Sequence, residues 1–212
     1  MAKVIGLNGS PRADWNSATL LKAALDAAGA KGAQTQLYNL ADLGYSGCMS
    51  CFGCKLLDGP SFGRCALRDD LTPILNDLTD SDEEVSLIIA TPIYFGDVTG
   101  MVRNLFERIW FPGLLYSKDG NIAYTKKVKV GIIYTMNVGD EKVYEKMISS
   151  HKQTFERFLG ETVTMCAVNT LQFDDYSKYA STAFNEAAKK AYREEHFGED
   201  VEKARQLGAS LV

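Results

Sequence analysis

The stretch from Val4 to Ser17 constrains this chain most strongly, because it has the pattern of a strand, a tight turn and the start of a helix. A β-branched apolar run leads into Gly9-Ser10-Pro11, and an alanine- and leucine-rich segment begins at Ala18. In an α/β domain, this order presents unpaired N–H groups and the positive end of the helix dipole to the turn. The turn is therefore predicted to hold an anion.

Several side chains of this loop are suited to bind a phosphate. Hydroxyl, amide and guanidinium groups are the donors that phosphate oxygens accept from, and here they belong to Ser10, Arg12, Asn16 and Ser17. The sequence does not support a P-loop NTPase, because no Gly-Lys-Ser/Thr is present. The evidence for a dinucleotide-binding site is weak, because the third glycine of that motif is missing after Gly6 and Gly9. The alternative is an ordinary strand–turn–helix in which Asn16 is the N-cap.

Composition favours one domain over residues 1–212, with a cysteine-rich loop at 44–68 and an apolar insertion at 110–124. The chain has 212 residues, is 46% hydrophobic and contains no linker-like segment. Its net charge of −4 and lack of a basic cluster argue against nucleic-acid or membrane-surface binding. The first strand starts at once, without a signal peptide, and no apolar run has transmembrane length. We therefore expect a soluble, cytoplasmic protein.

The hydrophobic pattern predicts an α/β fold. Strands are expected at Lys3–Leu7, Thr35–Leu40, Val85–Ala90, Val128–Thr135 and Thr162–Val168. Helices are expected at Ser17–Ala30, 69–78, Thr99–Ile109, 140–159, Ser181–Glu195 and Gly198–Ala209, with Asp69-Asp70 capping the second. Strands that alternate with helices form a parallel sheet with helices on both faces, here in the order 2-1-3-4-5.

In such a sheet a ligand binds where the strand order reverses, between the first and third strands. The loop after the third strand has a flat, apolar character and consists of Pro92, Ile93, Tyr94, Phe95 and Gly96. The end of the fourth strand adds Thr135, Met136 and Asn137. A phosphate cradle that faces an aromatic, hydrogen-bonding wall suits flavin mononucleotide (FMN). The alternative for Tyr94 and Phe95 is core packing at a strand end.

Four of the five cysteines lie close together in the sequence. Cys48, Cys51 and Cys54 form two successive C-x-x-C steps, and Cys65 follows after a longer interval. Three thiolates at this spacing with a fourth that returns to them are the ligands that a [4Fe–4S] cluster needs. A structural zinc site and a set of metal-free thiols are the alternatives. Cys166 is expected to be a small core residue.

Several of these motifs resemble those of one family. Asn8-Gly9-Ser10-Pro11-Arg12 with Asn16-Ser17 is similar to the phosphate loop of flavodoxin-like NAD(P)H-dependent FMN reductases. Thr91-Pro92-Ile93-Tyr94-Phe95-Gly96 resembles their ring-binding loop, and Arg103–Arg108 the helix after it. The cysteine spacing resembles the iron–sulfur flavoprotein branch. Trp15 is a departure, since the family commonly has a small residue there.

This resemblance implies a flavodoxin-like, doubly wound sheet and an FMN-dependent oxidoreductase that couples flavin to a [4Fe–4S] cluster. It implies NAD(P)H or a ferredoxin-type carrier as redox partner, no catalytic side chain, and a homodimer or homotetramer whose interface includes 110–124. One alternative is a cluster-free NAD(P)H-dependent reductase of flavin, quinones or nitro compounds. Another is an electron carrier or redox sensor. His151 and His196 are expected to face solvent on helix surfaces.

Overall fold

Five parallel strands run through the centre of the fold. The structure is a computed structural model that describes residues 2–80 and 82–212. The parallel strands are β1 (Lys3–Asn8), β2 (Gln34–Asn39), β3 (Val85–Tyr94), β5 (Lys129–Thr135) and β6 (Thr162–Ala167), and a short strand β4 (Asp97–Val98) pairs antiparallel with β3. The first seven residues of β3 are buried, as expected for a central strand covered on both faces.

The strand order is β2-β1-β3-β5-β6, with β4 attached to the end of β3. The predicted order of 2-1-3-4-5 lacked β4, which is too short to show a hydrophobic alternation in the sequence. The order still reverses between β1 and β3, because β1 pairs with β2 on one side and with β3 on the other. The α/β class and the parallel sheet are therefore as predicted, and the numbering of the strands is corrected.

Helices cover both faces of the sheet. They are α1 (Asn16–Ala30), α2 (Thr72–Thr79), α3 (Gly100–Gly113), α4 (Glu145–Phe158) and α5 (Glu186–Ser210). The apolar residues of α1 and α5 form one cluster with one face of the sheet, and those of α2, α3 and α4 form a second cluster with the other face. Within the described residues, no helix is long and apolar enough to cross a membrane.

Several helix boundaries differ from the prediction, and α3 ends at Gly113 rather than at Ile109. The two helices expected at the end of the chain are one helix, α5, in which Gly198 is an interior residue. A single glycine costs a helix only about 1 kcal/mol, which packing against α1 can offset. The helix α2 starts after Asp69-Asp70 rather than at that pair. A 3₁₀ turn at Glu141–Tyr144 precedes α4.

The strand β3 extends four residues beyond its predicted end, through the segment that the sequence suggested was a loop. Pairing with β4 explains the extension, because Ile93 and Tyr94 oppose Val98 and Asp97 in an antiparallel ladder. In the parallel ladder with β5, Pro92 lies beside Thr135. The register therefore joins two of the predicted binding segments at one edge of the sheet.

Close contact between α1 and α5 predicts the effect of a single methyl group. A Cβ at Gly208 would lie 2.0 Å from the carbonyl oxygen of Ala24 in α1. We expect Gly208→Ala to lower the free energy of unfolding by about 1–3 kcal/mol or more, since overpacking a tight interface forces the helices apart. Chemical denaturation measures this change.

Gly198→Ala is the matched control, because a Cβ there has nothing within 4 Å. This substitution on the same helix should raise stability by roughly 0.5–1 kcal/mol, through the lower entropy cost of alanine. Equal effects of the two variants would contradict the packing that we describe.

Candidate functional site

A cavity of about 250 Å³ lies at the carboxyl edge of the sheet, where the strand order reverses. Most of the residues predicted to bind FMN line it: Ser10, Arg12, Asn16, Ser17, Pro92, Ile93, Tyr94, Thr135, Met136 and Asn137. The same cavity is lined by residues that the sequence pattern did not single out for this role, namely Trp15, Thr170, Leu171 and Gln172. Four segments far apart in the chain thus share one site.

The phosphate-loop side chains are held by contacts within the protein. Arg12 Nη1 donates to the backbone oxygen of Gln172, and Ser17 Oγ lies 2.8 Å from Thr135 Oγ1. The Asn16 amide donates to Leu171 O at 2.8 Å and accepts from Arg193 Nη1 at 2.6 Å. Asn16 therefore acts as a buried link between the loop and α5, and its predicted alternative role as helix cap is wrong.

The start of α1 carries no cap of its own. Trp15 occupies the N-cap position, and among the described residues no side chain accepts a hydrogen bond from the first turn there. The Trp15 indole instead donates to Leu171 O at 2.9 Å. Because uncapped N–H groups and the helix dipole attract negative charge, this end of α1 has the character of an anion site.

A buried polar pair lies behind the opposite wall. Asn137 Oδ1 is buried and has no hydrogen-bond partner among the described residues. The ammonium group of Lys189 donates to the backbone oxygen of Thr170 at 3.0 Å. It also lies 3.5 Å from the backbone oxygen of Asn137. Burial lowers the pKa of Lys189, whose residue is only 5% exposed. The wall therefore offers a ligand one unsatisfied acceptor, backed by a cation from α5.

Phe95 and Gly96 do not line the cavity. They form the two-residue turn between β3 and β4, with φ values of +50° and +88°. Two positive φ angles are typical of a type I′ hairpin turn, which favours Asn-Gly and disfavours bulky residues at its first position. Phe95 is nevertheless there, and its side chain is fully exposed. Phe95 thus adopts a left-handed backbone conformation that is strained for a bulky residue, and its ring projects into solvent beside the cavity.

The prediction that His151 faces solvent is wrong. His151 is 5% exposed, and its ring edges lie 3.2 Å from the Tyr134 hydroxyl and 3.3 Å from the Asp97 carboxylate. A neutral ring satisfies both partners if Nδ1 accepts from Tyr134 and Nε2 donates to Asp97. Burial lowers the pKa of His151, Asp97 opposes this change, and Arg103 adds to it. Solvent exposure was inferred from local sequence, which could not show these distant partners.

The cysteine-rich loop forms a second candidate site. Cys48, Cys51, Cys54 and Cys65 all line one small depression, together with Phe111 and Arg108 of α3. All four are free thiols, and burial raises the pKa of Cys54. In the part of the chain that the structure describes, no group of three or more His, Cys, Asp or Glu side chains is arranged to hold a metal ion. Cys166 is a partly buried thiol on the outer strand β6.

Comparison with known proteins defines the family. Residues 2–147 match the family model described as NADPH-dependent FMN reductase. The chain belongs to this family. The matched range includes the phosphate loop, the end of β3, the cysteine loop and the end of β5, and it stops before α5 and the Leu171-Gln172 wall.

This FMN reductase family member is similar to two curated relatives that are named iron–sulfur flavoproteins. An iron–sulfur flavoprotein of Methanocaldococcus jannaschii is 35% identical over 129 residues, which cover 61% of this chain and 58% of the relative. Another from Archaeoglobus fulgidus is 31% identical over 106 residues, covering 50% and 48%. The match thus spans only about half of the length of these relatives.

A solved structure supports the fold of this family member. An azoreductase from Bacillus anthracis superposes with a TM-score of 0.67 at 12% identity, covering 99% of this chain and 100% of that chain. At this identity the likeness is one of fold alone. It agrees with the α/β architecture and the parallel sheet described above.

The buried histidine predicts a pH dependence of stability. The folded state lowers the pKa of His151 from its usual 6.5. As the pH falls below that value, His151 therefore binds a proton in the unfolded chain while it remains neutral in the folded chain. The free energy of unfolding should therefore decrease toward acid, with a slope from this residue of up to about 1.4 kcal/mol per pH unit.

The measurement is urea denaturation at a series of pH values from 7.5 to 5, compared between the wild type, His151→Gln and His196→Gln. We expect His151→Gln to flatten the pH profile between neutrality and acid. His196→Gln, which replaces the other histidine of the chain, on α5, is the control. Identical profiles for the wild type and His151→Gln would contradict the buried neutral ring.

Proposed function

We propose that this chain is an FMN-dependent oxidoreductase that exchanges electrons between FMN in the cavity and a [4Fe–4S] cluster on the cysteine loop. The observation that carries the proposal is the cavity itself, in which a phosphate-type loop and the apolar end of β3 face each other at the strand-order reversal. Ligands of doubly wound folds bind at this position. Family membership supports FMN as the ligand.

The phosphate of FMN would bind at the start of α1. The uncapped first turn supplies backbone N–H donors, and the guanidinium of Arg12 supplies charge. Arg12 is an exposed side chain that donates to one backbone oxygen and lies over the Trp15 ring, so it can exchange that oxygen for a phosphate at little cost. Ser10 and Ser17 line the same end of the cavity.

The ring system would lie against the end of β3. Pro92, Ile93 and Tyr94 offer a flat apolar surface, and the unpaired Asn137 Oδ1 offers an acceptor for an N–H group at the ring edge. The flavin supplies the redox chemistry, since it takes up electrons in pairs and can release them singly. The protein positions and shields the ring, and Lys189 adds a positive charge behind the wall.

The cluster would bind to Cys48, Cys51, Cys54 and Cys65. Each thiolate of a [4Fe–4S] cluster binds a different iron atom, so its ligands surround a volume and need not converge on a point. The four thiols line one depression, and Arg108 contributes a buried cation next to them, which suits a centre of negative charge. NAD(P)H or a ferredoxin-type carrier would be the external redox partner.

We also propose that the active form is a homodimer or homotetramer. Phe95 is fully exposed beside the cavity, and Tyr116, in the apolar insertion, is 72% exposed. Large aromatic side chains at such positions are typical of subunit interfaces. A reducing compartment such as the cytoplasm suits the free cysteines.

One anaerobic preparation tests the cofactors. Protein purified without oxygen should show flavin absorption with a broad cluster shoulder, and should contain iron and acid-labile sulfide. Bleaching of the flavin bands by NADH or NADPH would identify a nicotinamide donor. FMN without iron would support a cluster-free reductase instead. Colourless protein that leaves the fluorescence of added FMN unchanged would overturn the proposal.

Replacement of Arg12 should weaken phosphate recognition specifically. We expect Arg12→Ala to raise the dissociation constant of FMN by roughly tenfold or more, because a charge-assisted hydrogen bond contributes about 1.5–3 kcal/mol. Riboflavin, which lacks the phosphate, should bind both proteins equally. Quenching of flavin fluorescence measures both ligands, and Arg205→Ala, an exposed arginine on α5, is the control. An equal loss for riboflavin would show that Arg12 does not meet the phosphate.

Replacement of Phe95 should separate folding from association. We expect Phe95→Asn to leave the free energy of unfolding of the monomer unchanged or higher, since Asn-Gly suits a turn with two positive φ angles. Loss of the exposed ring should weaken self-association, which sedimentation equilibrium would report as a larger monomer fraction. Tyr179→Asn, an exposed aromatic in the C-terminal segment, is the control. An unchanged association constant for Phe95→Asn would contradict the proposed interface.

A further inference from the structure

The guanidinium group of Arg108 is buried at the centre of the cysteine loop. Arg108 lies on α3 and is 1% exposed, among the largest fully buried side chains of the described residues. A buried charge is costly unless it is paired and hydrogen-bonded. Its partners therefore indicate why the chain retains an arginine at this position.

Four hydrogen bonds satisfy this guanidinium. Two join it to the Asp69 carboxylate, from Nη1 at 2.6 Å and from Nη2 at 3.0 Å. Nη1 also donates to the backbone oxygen of Ser46 at 2.9 Å, and Nε donates to Cys65 Sγ at 2.9 Å. Only the planar fork of arginine can hold a carboxylate with two parallel bonds while a third N–H group points elsewhere.

These hydrogen bonds connect both ends of the cysteine loop to the Arg108 side chain. Ser46 lies two residues before Cys48, and Asp69 lies four residues after Cys65. Asp69 is itself fixed, since its Oδ1 accepts from the backbone N–H of Leu71 at 3.1 Å. The ten residues between Cys54 and Cys65 can therefore vary in path while Cys65 stays in place.

Arg108 also distinguishes Cys65 from the other three cysteines. Lys55, another basic side chain of the loop, donates to the backbone oxygens of Phe111 and Pro112 and also interacts with the Cys54 thiol. Glu107 lies beside Cys48, since its carboxylate accepts from the Cys48 backbone N–H at 3.3 Å. Cys65 is thus the cysteine whose sulfur accepts from the buried guanidinium group.

We propose that Arg108 is a positioning residue that holds Cys65 as the fourth ligand of the centre on the cysteine loop and raises the reduction potential of that centre through its N–H···S hydrogen bond. This inference rests on the proposed function, because it requires a cluster at the four cysteines. Hydrogen bonds to ligand sulfurs and nearby positive charge stabilise the more negative, reduced state of a cluster.

The test compares Arg108→Gln and Arg108→Lys with the wild type and with Arg205→Gln, an exposed arginine far along α5. Each protein is reconstituted anaerobically with iron and sulfide, and the cluster midpoint potential is measured by spectroelectrochemistry beside iron content. Circular dichroism and FMN content verify that each variant is folded.

We expect Arg108→Gln to bind its cluster roughly tenfold to a hundredfold less tightly, as is typical when the support of a metal ligand is removed. The cluster that remains should have a lower potential. Arg108→Lys should retain more of the potential, since it keeps the charge, but should still lose iron, since it cannot bond to Asp69 and Cys65 together. Arg205→Gln should match the wild type.

Asp69→Asn gives a second measure if Arg108→Gln does not fold. It keeps an oxygen that can accept from Leu71 and removes the charge that orients the guanidinium, so it should lose iron while retaining FMN. Wild-type potential and iron content in the folded Arg108 variants and in Asp69→Asn would overturn the role of Arg108 while leaving the proposed cluster intact. A wild-type protein that takes up no iron would overturn the proposed cluster and this inference together.

Discussion

The parallel register of β1, β3 and β5 is the constraint on which the rest of the structure depends. Asn8 at the end of β1 lies beside Ala90 of β3, and Pro92 of β3 lies beside Thr135 of β5. A shift by one residue would turn every side chain of β3 to the opposite face and separate the loops at its end. Both walls of the cavity depend on this alignment, and so does the start of α1.

The parts of the fold that could be predicted are those with a strong local pattern. The apolar run after Val85 identifies a central strand, and the turn at Gly9-Ser10-Pro11 identifies the loop before α1. The carboxyl-edge rule then brings the two loops together without knowledge of any contact. For this reason the cavity residues that follow β1, and those at the ends of β3 and β5, could be named from the sequence.

The remaining features depend on contacts between distant residues, which leave no local pattern. His151 is buried because Phe106 and Trp110 of α3 and Tyr134 of β5 surround its ring, whereas the sequence around it is polar. Asp69 had the pattern of a helix cap, yet its strongest partner is Arg108, 39 positions away. The Leu171-Gln172 wall lies in a segment without periodicity, and only the folded chain shows its place.

Trp15 at the start of α1 has a consequence that reaches beyond recognition. A helix whose own sequence supplies no cap leaves part of its stability to whatever anion occupies the turn. A ligand that binds at the start of α1 also stabilises the folded protein, because it binds the native chain and not the unfolded one. An anion bound at the turn would then stabilise the folded chain and slow its proteolysis.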